Sequence, residues 1–296
     1  MQSQDIKYLG LGFGIGAAIA GMAIGVVFLL PRTSAPKTTD PLYFVPIPVI
    51  YPTLSGATPT NTNTPNPPTS IITPPEPTNT PSDMDLLMAR GEIVVIGPLD
   101  LEQTTSLYKA SMSFIAPTLQ ESKVVATEIN RQQFSDPSTT CGPLSIAILQ
   151  TSGLLGDQII PHDFFLLNPD NGLDRKILER AFPEELFSQT RYKIKLNKVN
   201  WTEEPLFPGD FLYIYMGSGG NFEHMLVVNR VDHAGRAYSV TNFNTENGFI
   251  IDEVLLYDPN DSGAGIFIQW TRREKQLLGS TGFAGYEVWR RRGDSP

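Results

Sequence analysis

Apolar and polar positions follow three different regimes along this chain. Residues 8–30, "YLGLGFGIGAAIAGMAIGVVFLL", form a run of 23 residues without a charge. Such a run is long enough to cross the roughly 30 Å apolar core of a bilayer as one helix. From 31 to 83 no period is visible. From 84 onward, short apolar runs alternate with turn residues, as in a folded domain. The expected organisation is therefore an N-terminal transmembrane anchor (1–30), a disordered Pro/Thr-rich linker (31–83) and one folded domain (84–296).

The rival reading of the first run is a cleaved signal peptide, whose apolar core is usually about 7–15 residues. Its best cleavage position follows Ala35, but Pro36 comes next, so an uncleaved anchor is expected. Gly10, Gly14 and Ala18, like Gly12, Gly16 and Ala20, have the small-xxx-small spacing that lets two membrane helices approach. Weak dimerisation through this glycine-rich helix is one reading, and the ordinary abundance of glycine in membrane helices is the other. Lys7 before the run and Arg32 and Lys37 after it leave the orientation undecided by charge.

The linker holds 14 of the 25 prolines, many beside Thr and Asn, as in "GATPTNTNTPNPPTS". It has too little apolar surface to offset the entropy of folding, and its prolines favour extended polyproline II. At about 3.1 Å per residue it reaches on the order of 100 Å. Stalks of this composition hold a domain away from a membrane on its outer side, so a cell-membrane, single-pass, extracytoplasmic placement is expected. The apolar patch "PLYFVPIPVIYPTL" (41–54) has no assigned role.

Within the domain, helices are expected over 99–116, capped by Asp100 and stopped by Pro117, over 142–153, ended by Gly153, and over 173–182, ended by Pro183. "GEIVVIG" (91–97) and "KVVATEI" (123–129) read as strands. The second half changes rhythm. "DFLYIYMG", "HMLVVNRVD", "RAYSVTNFN", "GFIIDEVLLYD" and "GIFIQW" are β-rich runs separated by "GSGG", "HAG", "TENG" and "NDSGAG". Helices followed by a strand meander predict an α+β fold, with N-terminal helices packed on a C-terminal antiparallel β-sheet.

Charge narrows the partners. The chain carries 22 Lys and Arg against 31 Asp and Glu, a formal charge of -9. No basic excess exists to neutralise phosphates, so nucleic acid is not an expected partner. No Cys/His cluster suggests a metal, and no glycine-rich strand–helix unit suggests a nucleotide, so no cofactor is expected.

The single cysteine, Cys141, lies in "STTCGPLSIAILQ". It cannot form an intrachain disulfide and is either a small core residue or a nucleophile. Its position just before a helix, with Pro143 in the first turn, places the thiol at the positive end of the helix dipole. That placement lowers a thiol pKa and favours the nucleophilic thiolate. A nucleophilic cysteine needs a base. His162 reads as a loop or capping residue and His233 as a solvated turn residue. His224 opens a strand directly after the glycine-rich "GSGGNFE" and is the candidate base. A third group orients the imidazole. A hairpin turning near Ala234–Gly235 brings Asn242 or Asn244 within reach of residue 224, and Asp258 is a rival one strand further on.

"CGPLSIAIL", "HMLVV" and "YSVTN" together resemble the C39-like group of papain-like cysteine peptidases, over roughly residues 123–260. The resemblance implies a papain-like fold and peptide-bond hydrolysis through an acyl-enzyme. By position it implies Cys141 as nucleophile, His224 as base, Asn242 as orienting residue and an upstream glutamine, Gln133 or Gln132, as oxyanion donor. Asn stands where the group more often has Asp, and "YDP" at 257–259 keeps Asp258 open as the third residue. No G-x-x-x-x-G-K-[ST] stretch occurs, so the chain is not a peptidase-bearing transporter. "LFPGDFLYIYMG" resembles the NlpC/P60 cell-wall hydrolases, which usually carry Asp-Cys-Ser instead of Cys-Gly-Pro. The expected substrate is a peptide or a cell-wall peptide. A catalytically inactive papain-like binding module is the alternative from another class.

Overall fold

The computed structural model describes residues 82–131, 133–217, 223–272 and 281–293. The expected membrane helix, almost all of the linker and Gln132 lie outside the described residues. Among the described residues no helix is long and apolar enough to cross a membrane.

The described residues form an α+β unit with two antiparallel sheets. Three helices open under capping boxes, in which a side chain at the cap and one three residues on satisfy each other's free amides. These are α1 (Asp83–Ala89, cap Ser82), α2 (Leu101–Met112, cap Asp100) and α3 (Leu119–Ile129, cap Thr118). Helices α4 (Cys141–Thr151) and α5 (Gly172–Ala181) fall where the periodicity predicts them. The strands among the described residues are β1 (Phe187–Tyr192), β2 (Phe211–Ile214), β3 (His224–Val227), β4 (Arg230–Val231), β5 (Ala237–Thr245), β6 (Gly248–Tyr257) and β7 (Tyr286–Arg291), with α6 (Ile266–Arg272) before β7.

Three expected strands differ. "KVVATEI" belongs to α3: the Thr118–Glu121 box starts a helix, and Ala126 then faces the core with Val125 and Ile129 partly buried against it. The β-branched run had suggested a strand, but a helix cap outweighs that weak preference. "GIFIQW" lies in α6, which buries Ile266, Phe267 and Thr271 on one helical face. "GEIVVIG" forms no strand. Its chain turns at Gly91 and Gly97, both with positive φ, and ties to the sheet through Val94 N–H donating to Val231 O at 3.0 Å. Strands β1 and β7 were not anticipated. Exposed "SQTR" hides one, and the buried Glu287 breaks the apolar alternation of the other.

The sheet orders are β1-β7-β2-β3 and β4-β5-β6. The chain from His224 to Val231 passes from one sheet to the other, linked across Asn229 N–H to Tyr238 O at 3.0 Å. Period-2 alternation sorts side chains onto two faces. Phe211, Tyr213, Met225, Val227, Val240, Ile251 and Trp289 meet Leu144, Ile148 and Leu149 of α4 and Leu178 of α5. Leu212, Ile214, Leu226, Val228, Leu256 and Val288 form the other core with Trp201 and with Phe267 of α6. Each fully buried Leu, Ile or Phe here contributes on the order of 1.5–3 kcal/mol.

Candidate active site

Cys141 is the first residue of α4. The preceding turn, Pro137–Thr139, is a 3₁₀ turn capped by Asp136, whose Oδ1 accepts from Ser138 N–H at 2.9 Å. Thr140, at the helix cap, makes no side-chain capping bond to α4, and Pro143 has no N–H to offer. The Gly142 amide at this terminus and the Met225 amide from β3 both favour the charged form of the Cys141 thiol. Gly142 permits the close approach of Met225. A Cβ there would collide with the Phe164 carbonyl oxygen and come within 2.7 Å of Met225 Cε.

The expected low thiol pKa is not what the surroundings give. Burial pushes the Cys141 thiol up to about 11, against the opposing pull of the Met225 and Gly142 amides, while the nearby Glu223 charge pushes it further up. Desolvation of the charged form outweighs the helix terminus here. The resting thiol is neutral.

His224 is the first residue of β3, paired with Ile214 across the ladder. Its ring is buried, with only 9% exposure, and packs 4.7 Å from the Trp270 ring of α6. Burial lowers its pKa to about 3, so the imidazole is also neutral. Its Nε2 lies 2.8 Å from Thr241 Oγ1. No hydrogen bond joins it to Cys141 or to Asn242. The reason is the strand period. Thr241 and Asn242 are neighbours on β5 and point to opposite faces. Thr241 shares the face of His224, whereas Asn242 Nδ2 donates to Pro137 O at 2.6 Å, on the side of the turn that leads into Cys141.

Asn242 thus braces the cysteine turn, and Thr241, which sequence reasoning passed over, holds the histidine. Residue parity along β5 was the available signal, because neighbours two apart share a face. Asn244, the other candidate of the hairpin argument, is exposed. Asp258 does not approach His224. It forms an isolated bridge with Asp261, accepts from Asn260 N–H at 2.8 Å, and lines a cavity of about 140 Å³ with Asn197, Trp201 and Tyr257, a place separate from Cys141. Gln133 is exposed, and its backbone N–H donates to Asn130 O at 3.1 Å.

Two buried amides near the cysteine turn carry unsatisfied atoms: both side-chain polar atoms of Asn130, and Oδ1 of Asn242, have no partner. His162 sits in a 3₁₀ turn beside the stacked pair of Phe134 and Phe165, and His233 Nδ1 lies 2.9 Å from Gly91 O. Both fit the structural roles expected of them. "PGD" also has a structural role: Asp210 accepts from Arg290 Nε at 2.8 Å and Nη2 at 2.7 Å and from Phe207 N–H at 2.8 Å. Among the described residues no group of His, Cys, Asp and Glu is arranged to hold a metal ion. Comparison of the chain with protein-family models, with curated proteins and with solved structures finds no match.

Proposed function

We propose that this chain is a cysteine peptidase of papain-like fold, resembling the C39-like group, held outside a cell membrane on a Pro/Thr stalk. One observation carries the reading. The only cysteine opens a buried helix with its sulfur under the amide of Met225, the residue that follows the candidate base His224. A nucleophile, two backbone donors and a histidine-bearing strand end converge there from distant parts of the sequence.

The chemistry runs from a neutral pair. In this reading the His224 ring first leaves Thr241 and turns from the Trp270 side toward Cys141, and it then takes the thiol proton as the sulfur attacks the peptide carbonyl. The backbone amides at the terminus of α4 favour the charge that develops. His224 then protonates the leaving amine, and water hydrolyses the acyl-enzyme. The Pro137–Asn242 bond fixes the turn from which the nucleophile projects.

A second reading has its own support. A protonated thiol and a histidine committed to Thr241 also suit a papain-like module that only binds peptide or glycan. Iodoacetamide labelling of the native protein at pH 7.5, together with digestion of a peptide library and peptidoglycan, separates the two. Turnover abolished by Cys141→Ala and nearly so by His224→Ala supports the peptidase, and slow labelling of the native protein is what its neutral thiol gives. A native protein that digests neither substrate, or a folded Cys141→Ala protein with full activity, rejects it. Digestion of peptidoglycan in place of peptides points to the NlpC/P60-like alternative.

A further inference from the structure

We propose, on the basis of the hydrolase reading, that the Tyr213 hydroxyl is the side-chain donor to the oxyanion formed at Cys141, the role the sequence resemblance gave to Gln133. Tyr213 lies on β2 directly across the ladder from Met225, whose amide favours the charged form of the Cys141 thiol and whose side chain abuts Gly142. By strand alternation it shares the helix-facing side of the sheet with Met225, where Cys141 also packs. Its ring is 3% exposed and is held edge-on against Tyr215, with centroids 4.8 Å apart.

The two tyrosines differ in what their hydroxyls do. Tyr215 donates to Glu287 Oε1 at 2.7 Å. No described residue hydrogen-bonds the Tyr213 hydroxyl, and its oxygen is not among the sealed, unsatisfied atoms. A buried aromatic ring with a free hydroxyl is uncommon, because such a group normally finds a partner. Burial, and then the charges of Glu223, Tyr215 and Cys141, disfavour the phenolate. The group therefore stays a donor at any working pH, within electrostatic reach of the reacting sulfur.

In the proposed step Sγ bonds to the carbonyl carbon, the thiol proton passes to His224, and the C=O π pair moves onto oxygen. Tyr213 donates a hydrogen bond to that oxygen and keeps its proton. Collapse restores C=O and expels the leaving group.

Two reagents isolate this role in the full-length protein in detergent. p-Nitrophenyl acetate acylates a thiol through an oxyanion and releases p-nitrophenolate. Iodoacetamide alkylates it by displacement of iodide, with no oxyanion. Tyr213→Phe keeps the ring and removes only the hydroxyl. It should slow acylation on the order of 100-fold, the usual cost of one oxyanion donor, and leave alkylation within about twofold of wild type. Tyr215→Phe, which loses the Glu287 bond, should leave the ratio of the two rates unchanged. Equal slowing of both reactions by Tyr213→Phe, or of neither, overturns the proposal while the hydrolase reading stands. A native wild-type protein that p-nitrophenyl acetate does not acylate overturns both.

Discussion

Acid should unfold this protein through His224, and the size of the effect follows from its burial. The imidazole titrates near 6.5 when solvated and near 3 in the fold, because burial beside Trp270 penalises its charged form. A folded-state pKa below the unfolded one means that the stability is fully present above about pH 6.5. It is lost as pH falls toward 3, at up to about 1.4 kcal/mol per pH unit. Between pH 7 and pH 4.5 the unfolded chain binds a proton that the folded chain refuses, which costs about 2–3 kcal/mol. Other groups titrate in the same window, so the comparison is with His224→Gln, whose side-chain amide still reaches Thr241 but does not ionise. Urea denaturation at several pH values, followed by tryptophan fluorescence, gives both stabilities. The wild type should lose about 2–3 kcal/mol more than the variant over this range. Parallel curves would show that the ring is solvated or paired with an acid, and the neutral-pair description of the site would fall with it.

Gly142→Ala should destabilise by about 1–3 kcal/mol, because the new methyl meets backbone at Phe164 that cannot give way. This overpacking exceeds the gain in helix propensity of roughly 1 kcal/mol, and a lower urea midpoint is the measurement. Glu287→Ala should cost about 3–5 kcal/mol. It strips Arg175 of a two-pronged bond at 2.8 and 2.9 Å and Tyr215 of its acceptor; a melting temperature within a degree of wild type contradicts this. In kcat/KM, Thr241→Val and Asn242→Ala should each lower activity roughly 10- to 100-fold, as removal of supporting partners does, whereas Asp258→Ala should be close to wild type. A dead Asp258→Ala enzyme with both others active reverses the assignment. Protease added outside intact cells, with only the outer membrane permeabilised where there is one, should release the domain as a fragment beginning within roughly residues 38–85, and protection of the domain reverses the orientation.

The helices were legible where local chemistry decides them. Asp100 before an amphipathic run, Pro183 after another and the apolar stretch behind Cys141 specify α2, α5 and α4 with contacts a few residues apart. The hairpin turning at Gly235, with φ +80, was equally local. The sequence also singled out Cys141 and His224, one by being the only cysteine and the other by opening a strand. Their partners were decided elsewhere. Asn242 and Thr241 are adjacent in the chain, and which of them meets His224 depends on the face that β5 turns toward β3, a parity carried by the Arg230–Tyr238 and Val231–Ala237 hairpin register. Strand β7 pairs with β1 and β2 across about a hundred and about seventy residues, and its buried Glu287 makes sense only beside Arg175, Gln189 and Tyr215. The thiol's ionisation was misjudged for the same reason. A helix terminus is written in the sequence and lowers the pKa, but the surroundings that desolvate Cys141, β3 with Met225 among them, exist only in the assembled fold, and that desolvation is the larger effect.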